Sequence, residues 1–157
     1  SGTSQGTYTQ SGGTVMLNNV GSASATRAVL ELNTGVPFTC SGGTIVIRRP
    51  CSHPTADVLI ASTNSTVTGG TLQVGDASTP AAQVIRINSA APLYHFTVNA
   101  TNNPEASLVT NGLTVQGNLS ILGGTLRSNG LAIAARGNWT NCCESASSIS
   151  VDGMHMR

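Results

Sequence analysis

The chain has 157 residues, of which 39% are hydrophobic, only 8% are charged and 3% are aromatic, and its formal net charge is +1 at pH 7. All basic side chains are arginines, at positions 27, 48, 49, 86, 127, 136 and 157, and there is no lysine. This balance excludes the basic field a nucleic-acid binder needs, no apolar run is long enough to span a bilayer, and the periodic hydrophobic residues argue against disorder.

In chain order, the first element begins at Ser11-Gly12-Gly13-Thr14, after which Val15 and Leu17 alternate with Thr14 and Met16 as in a pleated strand. Asn33-Thr34-Gly35 supplies a turn, and Ser41-Gly42-Gly43-Thr44 starts a second strand in which Ile45 and Ile47 oppose Val46. Thr68-Gly69-Gly70-Thr71 starts a third, with Leu72 and Val74 opposing Gln73. Ile85 and Ile87 then oppose Arg86, and Phe96 and Val98 oppose Thr97. After turns at Asn102-Asn103-Pro104 and Asn111-Gly112, Leu113, Val115, Leu119 and Ile121 form one apolar set, with Thr114, Gln116 and Ser120 opposite. Leu122-Gly123-Gly124-Thr125 is the fourth copy of the phrase, followed by a turn at Asn129-Gly130. No segment keeps a helical period.

The closing threonines are 30 (Thr14 to Thr44), 27 (Thr44 to Thr71) and 54 (Thr71 to Thr125) residues apart, the last gap being twice 27. Near its midpoint stands His95-Phe96-Thr97-Val98, a copy without the glycines. A fixed period of this kind marks stacked equivalent units. The expected fold is therefore all-β with about a dozen short strands, a right-handed parallel β-helix or β-solenoid of about six coils of roughly 27 residues. Residues 1–141 form the repeat domain and 142–157 a C-terminal tail or linking segment. Thr14, Thr44, Thr71, Thr97 and Thr125 are expected to line up as a ladder, with Leu119 and Ile121 buried and Arg127 outward.

The stretch from Leu93 to Asn141, about a third of the chain, adds a resemblance. Leu93-Tyr94-His95-Phe96-Thr97-Val98-Asn99, Gly112-Leu113-Thr114-Val115-Gln116-Gly117-Asn118-Leu119-Ser120-Ile121, Gly123-Gly124-Thr125-Leu126, Asn129-Gly130 and Gly137-Asn138-Trp139-Thr140-Asn141 carry it. It resembles the adhesin-like β-solenoid repeat segments of very large secreted surface proteins of gliding and biofilm-forming Bacteroidota, exported by type IX secretion, and is similar in spirit to autotransporter passenger domains. The resemblance implies a secreted, cell-surface location and no catalytic motif. The ending from Cys142 to Arg157 departs from that pattern.

Chemistry-bearing residues are few. The acids Glu31, Asp57, Asp76, Glu105, Glu144 and Asp152 are scattered. Glu31 and Asp57, near one period apart, are the pair that stacking could join, but two separate solvated outward charges are the expectation. Asp76 is read as a turn residue, since the spaced aspartates of calcium-binding coils are absent. His53 with Cys51, and His155 with Cys142 and Cys143, lack zinc-site spacing, and His95 is read as a turn or surface histidine. No catalytic, cofactor or metal site is expected. Four Asn-x-Ser/Thr triplets, at Asn64, Asn99, Asn118 and Asn138, are explained by chance in so Asn- and Thr-rich a chain.

Cys40, Cys51, Cys142 and Cys143 are candidates for structural or intersubunit disulfides. Cys40 and Cys51 flank an extended strand, so they pair only if the chain folds back at Arg49-Pro50. Adjacent Cys142 and Cys143 point opposite ways in extended chain, which leaves local bridges, pairing with a neighbouring chain, and free buried thiols all open.

The functional expectation is an extracellular structural or adhesive subunit that assembles end to end through terminal β-strands, its partners being copies of itself or adjoining repeats of a larger surface protein, with surface glycans as a further expected partner. Open strand edges template such pairing. The alternatives are a glycan-binding module, a polysaccharide-acting β-helix enzyme and an ice-binding solenoid. The last needs an outward Thr-x-Thr ladder, and the positions two after the threonines hold Met16, Val46, Gln73 and Arg127. Because the chain begins Ser1-Gly2-Thr3 with no visible signal peptide, it is expected to be processed or a fragment.

Overall fold

The computed structural model describes residues 6–18, 26–99, 101–141 and 149–150. Among them the chain is all β, with fourteen strands, every pair of them parallel, and no helix. The first sheet holds, in spatial order, β1 (Tyr8–Leu17), β3 (Phe38–Ile47), β5 (Ser65–Val74), β7 (His95–Val98), β10 (Leu119–Ile121) and β13 (Trp139–Asn141). The second runs β2 (Leu30–Leu32), β4 (Val58–Ile60), β6 (Val84–Ser89), β8 (Glu105–Leu108), β11 (Thr125–Arg127) and β14 (Ile149–Ser150). The third pairs β9 (Leu113–Val115) with β12 (Ile133–Ala135). The chain visits the sheets in turn, and spatial order follows chain order within each, so every strand lies beside the next of its own sheet. This arrangement is compatible with a β-helix.

The alternation read from the sequence places the core. In the first sheet the register joins Val15, Ile45, Leu72, Phe96, Leu119 and Trp139 into one inward column, and Leu17, Ile47, Val74, Val98, Ile121 and Asn141 into the next. Ile47, Val74, Phe96, Val98, Leu119 and Ile121 are fully buried. From the second sheet Leu30, Val58, Ile87 and Leu108 form a facing column in the same apolar cluster. Branched aliphatics dominate because each strand offers only two or three inward positions, and short branched side chains fill a narrow interior without leaving gaps.

Leu119 and Ile121 are thus buried, but they do not share a strand with Leu113 and Val115. A corner at Gly117-Asn118 separates β9 from β10 and puts them in different sheets. The turn expected at Asn111-Gly112 takes its positive φ at Thr110 (71°), while Asn103 (48°), Asn129 (52°) and Gly130 (76°) supply it elsewhere.

The Gly-Gly phrases sit inside β1, β3 and β5, where the register slips as at a β-bulge. Two constraints select glycine there. Gly43 has φ of +82°, which L side chains avoid. At Gly42 the backbone layers touch, so that a Cβ would lie 2.5 Å from the Ser11 carbonyl oxygen.

The expected threonine ladder holds for three members and fails for two. Thr14, Thr44 and Thr71 face one another, but Thr71 is opposite His95; Thr97 lies between Gln73 and Ser120, and Thr125 is in β11 of the second sheet, opposite Glu105. The cause is an unequal return. Register partners are separated by 30 residues (Thr14 to Thr44), then 27 (Thr44 to Thr71), 24 (Thr71 to His95), 23 (Thr97 to Ser120) and 20 (Ser120 to Thr140), so the gap of 54 is not two repeats of 27. Where the glycines are lost, strand entry comes two residues earlier and His95 takes the threonine place. The column goes on through Asn118 and Asn138: the Asn118 N–H donates to His95 Nδ1 (2.9 Å), and the Asn138 N–H to Asn118 Oδ1 (3.0 Å).

Candidate functional site

Each of the four acids among the described residues is held by an arginine. Arg27 pairs with Glu31 (2.7 Å), Arg48 with Asp76 (2.6 Å), Arg86 with Asp57 (2.9 Å), and Arg127 with Glu105 through both of its carboxylate oxygens (2.8 Å each). Glu31 and Asp57 are not register partners. Glu31 is opposite Leu59, two residues farther on, because the return between β2 and β4 is 28 residues (Leu30 to Val58).

Asp57 is not the solvated outward charge expected: none of its surface is exposed. Burial alone would push its carboxyl up, but Arg86, through its Nε, Nη2 and backbone N–H, together with the Cys51 backbone N–H and thiol, outweighs that and holds it below the usual carboxylate range. The same guanidinium donates to the carbonyls of Cys51 (3.3 Å), His53 (2.7 Å) and Pro54 (3.2 Å). The cluster therefore clamps the loop between β3 and β4 onto β6. With every carboxylate lone pair directed at a donor, Asp57 has no free face for a substrate. Glu31 is also lowered: the hydrogen bonds from Asn33, Arg27 and the Ala28 N–H outweigh the upward push of burial.

Cys40 and Cys51 are free thiols, so the local bridge is not made. Cys40 is buried in β3 against the Gly42 carbonyl, whereas Cys51 lies beyond the end of that strand with its sulfur 3.3 Å from Asp57 Oδ1. Burial pushes both thiols up. Cys142, Cys143, His155, Glu144 and Asp152 lie outside the described residues, as does the tail 142–157 apart from Ile149–Ser150, which pairs with β11. The His53 Nδ1 faces the Thr55 and Ala56 amides while the Cys51 sulfur faces Asp57, so they do not converge. His95 is a corner acceptor packed edge-on to Tyr94. Among the described residues no three His, Cys, Asp or Glu side chains gather in a metal-binding group.

What remains is surface. The first feature is the pair of edges of the first sheet: among the described residues β1 pairs only with β3, and β13 only with β10. Core residues in these outer layers are only partly covered, with Tyr8 and Leu17 at one end and Leu131, Ala135 and Trp139 at the other. The second feature went unread in the sequence. Thr9 and Ser11, Thr39 and Ser41, and Thr66 and Thr68 flank the inward residues Gln10, Cys40 and Val67, and all six hydroxyls face out, with Thr39 the most covered. Thr9, Thr39 and Thr66 are register partners. The signal for this feature is the tripeptide Thr-x-Ser/Thr before each of the first three Gly-Gly pairs, overlapped by the stronger Gly-Gly-Thr repeat.

Compared with protein-family models, with curated proteins and with solved structures, the chain finds no match.

Proposed function

We propose that the chain is an extracellular structural or adhesive β-solenoid subunit of about six coils that assembles end to end into a fibre. The observation that carries this reading is the pair of strand edges, β1 and β13, at opposite ends of one uniformly parallel sheet, neither of which takes a further strand among the described residues. A parallel sheet can add a further strand in the same sense at either side, and bare edges are templates for such pairing. Parallel crossovers within a sheet are overwhelmingly right-handed, which supports a right-handed coil. The partly covered apolar residues at both ends favour burial against another layer. A solvent-facing chain with no lysine, little charge and long hydroxyl-bearing strands, together with the adhesin-like segments between Leu93 and Asn141, supports a secreted, cell-surface role with copies of itself or adjoining repeats as partners. Full engagement of the four described carboxylates with arginines speaks for a non-catalytic role. Electron microscopy and sedimentation of the purified protein over a concentration series test the proposal. Fibres or a growing series of oligomers are expected; a monomer at all concentrations rejects it.

The hydroxyl face favours a second reading, an ice-binding surface. The outward hydroxyls of Thr9, Thr39 and Thr66 repeat in register at the strand spacing of about 4.8 Å, a neutral column suited to a hydroxylated lattice, with Ser11, Ser41 and Thr68 beside it at the register slip. Inhibition of ice recrystallisation, lost in Thr39→Lys and Thr66→Lys, is the expected signature, and an inactive wild type removes this reading.

A further inference from the structure

Among the described residues nothing requires position 12 to be glycine. Its counterparts are constrained: at Gly42 a Cβ would press on the Ser11 carbonyl oxygen at 2.5 Å, and at Gly69 it would press on the Ser41 carbonyl oxygen more closely still. Both contacts come from the layer on the β1 side. At Gly12 a Cβ meets nothing within 4 Å, and its φ is not in the left-handed region. The same close approach would exist if another strand lay against the β1 edge.

The opposite end is complementary. In the last two steps of the corner column the side chain accepts the backbone N–H of the layer that follows: His95 from Asn118, then Asn118 from Asn138. Asn138 is the next member, and its carboxamide has no hydrogen-bond partner among the described residues. Beside it, Trp139 ends the inward column that starts at Val15, and both are only partly buried. The neighbouring column ends on Asn141, so Trp139 carries the apolar part of this end.

We infer that the β13 edge of one copy docks in parallel on the β1 edge of a second copy, in the register that continues these columns. Asn138 then meets Thr14 of the second copy, Trp139 covers its Val15, and the backbone just before β13 passes its Gly12. The contact is heterologous, one face meeting a different face, so it does not close into a dimer but propagates. The inference rests on the end-to-end reading and adds its register.

The test compares wild type, Gly12→Ala, Gly42→Ala and Asn138→Ala by melting temperature and by sedimentation across a concentration series. Gly12→Ala should melt like the wild-type subunit yet associate about tenfold or more weakly, because a methyl group forced into close-packed backbone is not accommodated. Gly42→Ala should lower the melting temperature, since the same clash is internal. Asn138→Ala should leave melting unchanged and weaken association by a smaller factor. If the wild type associates and Gly12→Ala associates equally well, the docking register is overturned while the end-to-end reading stands. A wild type that never associates overturns both. A lower melting temperature for dilute Gly12→Ala overturns the premise that nothing inside the subunit needs this glycine.

Discussion

Asp57 and Arg86 are 29 residues apart, and only the register between β4 and β6 brings them together. Removing one partner of an enclosed ion pair leaves the other uncompensated, and Arg86 also serves three loop carbonyls. Asp57→Asn should therefore cost on the order of 2 to 3 kcal/mol, below the value for a fully buried pair because the Arg86 side chain keeps 26% of its exposure. The folded-state pKa of Asp57 is depressed, so its stabilisation is complete above the ordinary carboxylate pKa of about 4 and fades as pH falls through the lower folded value. The melting difference between wild type and Asp57→Asn should accordingly shrink in acid, and a gap that widens there would contradict the assignment. Leu119, with no exposed surface, gives a second comparison: Leu119→Ala should cost about 2 to 5 kcal/mol through the cavity it leaves, while Arg127→Ala, on a half-exposed side chain, should barely move the melting temperature. Burial of Leu119 was legible because alternation alone assigns it to a face. The clamp was not, because a one-residue error in return length reassigns every charged partner.

At the scale of elements, strand positions were readable and their stacking only in part. The Gly-Gly-Thr phrase locates the bends of β1, β3 and β5 correctly, since the bulge needs both a positive φ and room for the neighbouring backbone. Gly43→Ala meets both obstacles at once, a left-handed φ and a Cβ 2.6 Å from the Gly12 carbonyl oxygen, and should cost on the order of 1 to 3 kcal/mol by thermal unfolding. The fourth copy looks the same in sequence yet leads into β11 of the second sheet, where Gly124 packs against the Pro104 carbonyl. Local chemistry specifies a tight corner; it does not say which corner. His95 and Asn118 stand in the threonine place of the column and accept the next N–H through their own side chains, so the residue type ceased to mark the position.

For the whole molecule, parallel pairing between neighbours in the sheet means that, among the described residues, each inner strand of the first sheet is held from two sides and each outer one from one side. Opening should start at the ends, as in arrays where each layer touches only its neighbours. Hydrogen exchange of the dilute subunit should be slowest for amides of β5 and β7 and fastest for β1 and β13; uniform protection would speak against layer-by-layer stability. Parallel architecture was legible from the return of the same phrase, whereas the shortening of the return along the first sheet was not, because it lies in loops whose lengths carry no periodic signal.

In the coil proposed above, the shortening of the return in the first sheet, from 30 residues between β1 and β3 to 20 between β10 and β13, would give the two ends different perimeters. A polymer of such wedges would have a leading tip and a trailing tip that present different surfaces to an arriving subunit, and the two should elongate at unequal rates. Seeds carrying one dye and extended with subunits carrying another would then grow lopsided segments under the microscope, and a single capping molecule fitted to one perimeter could stop growth at that tip alone.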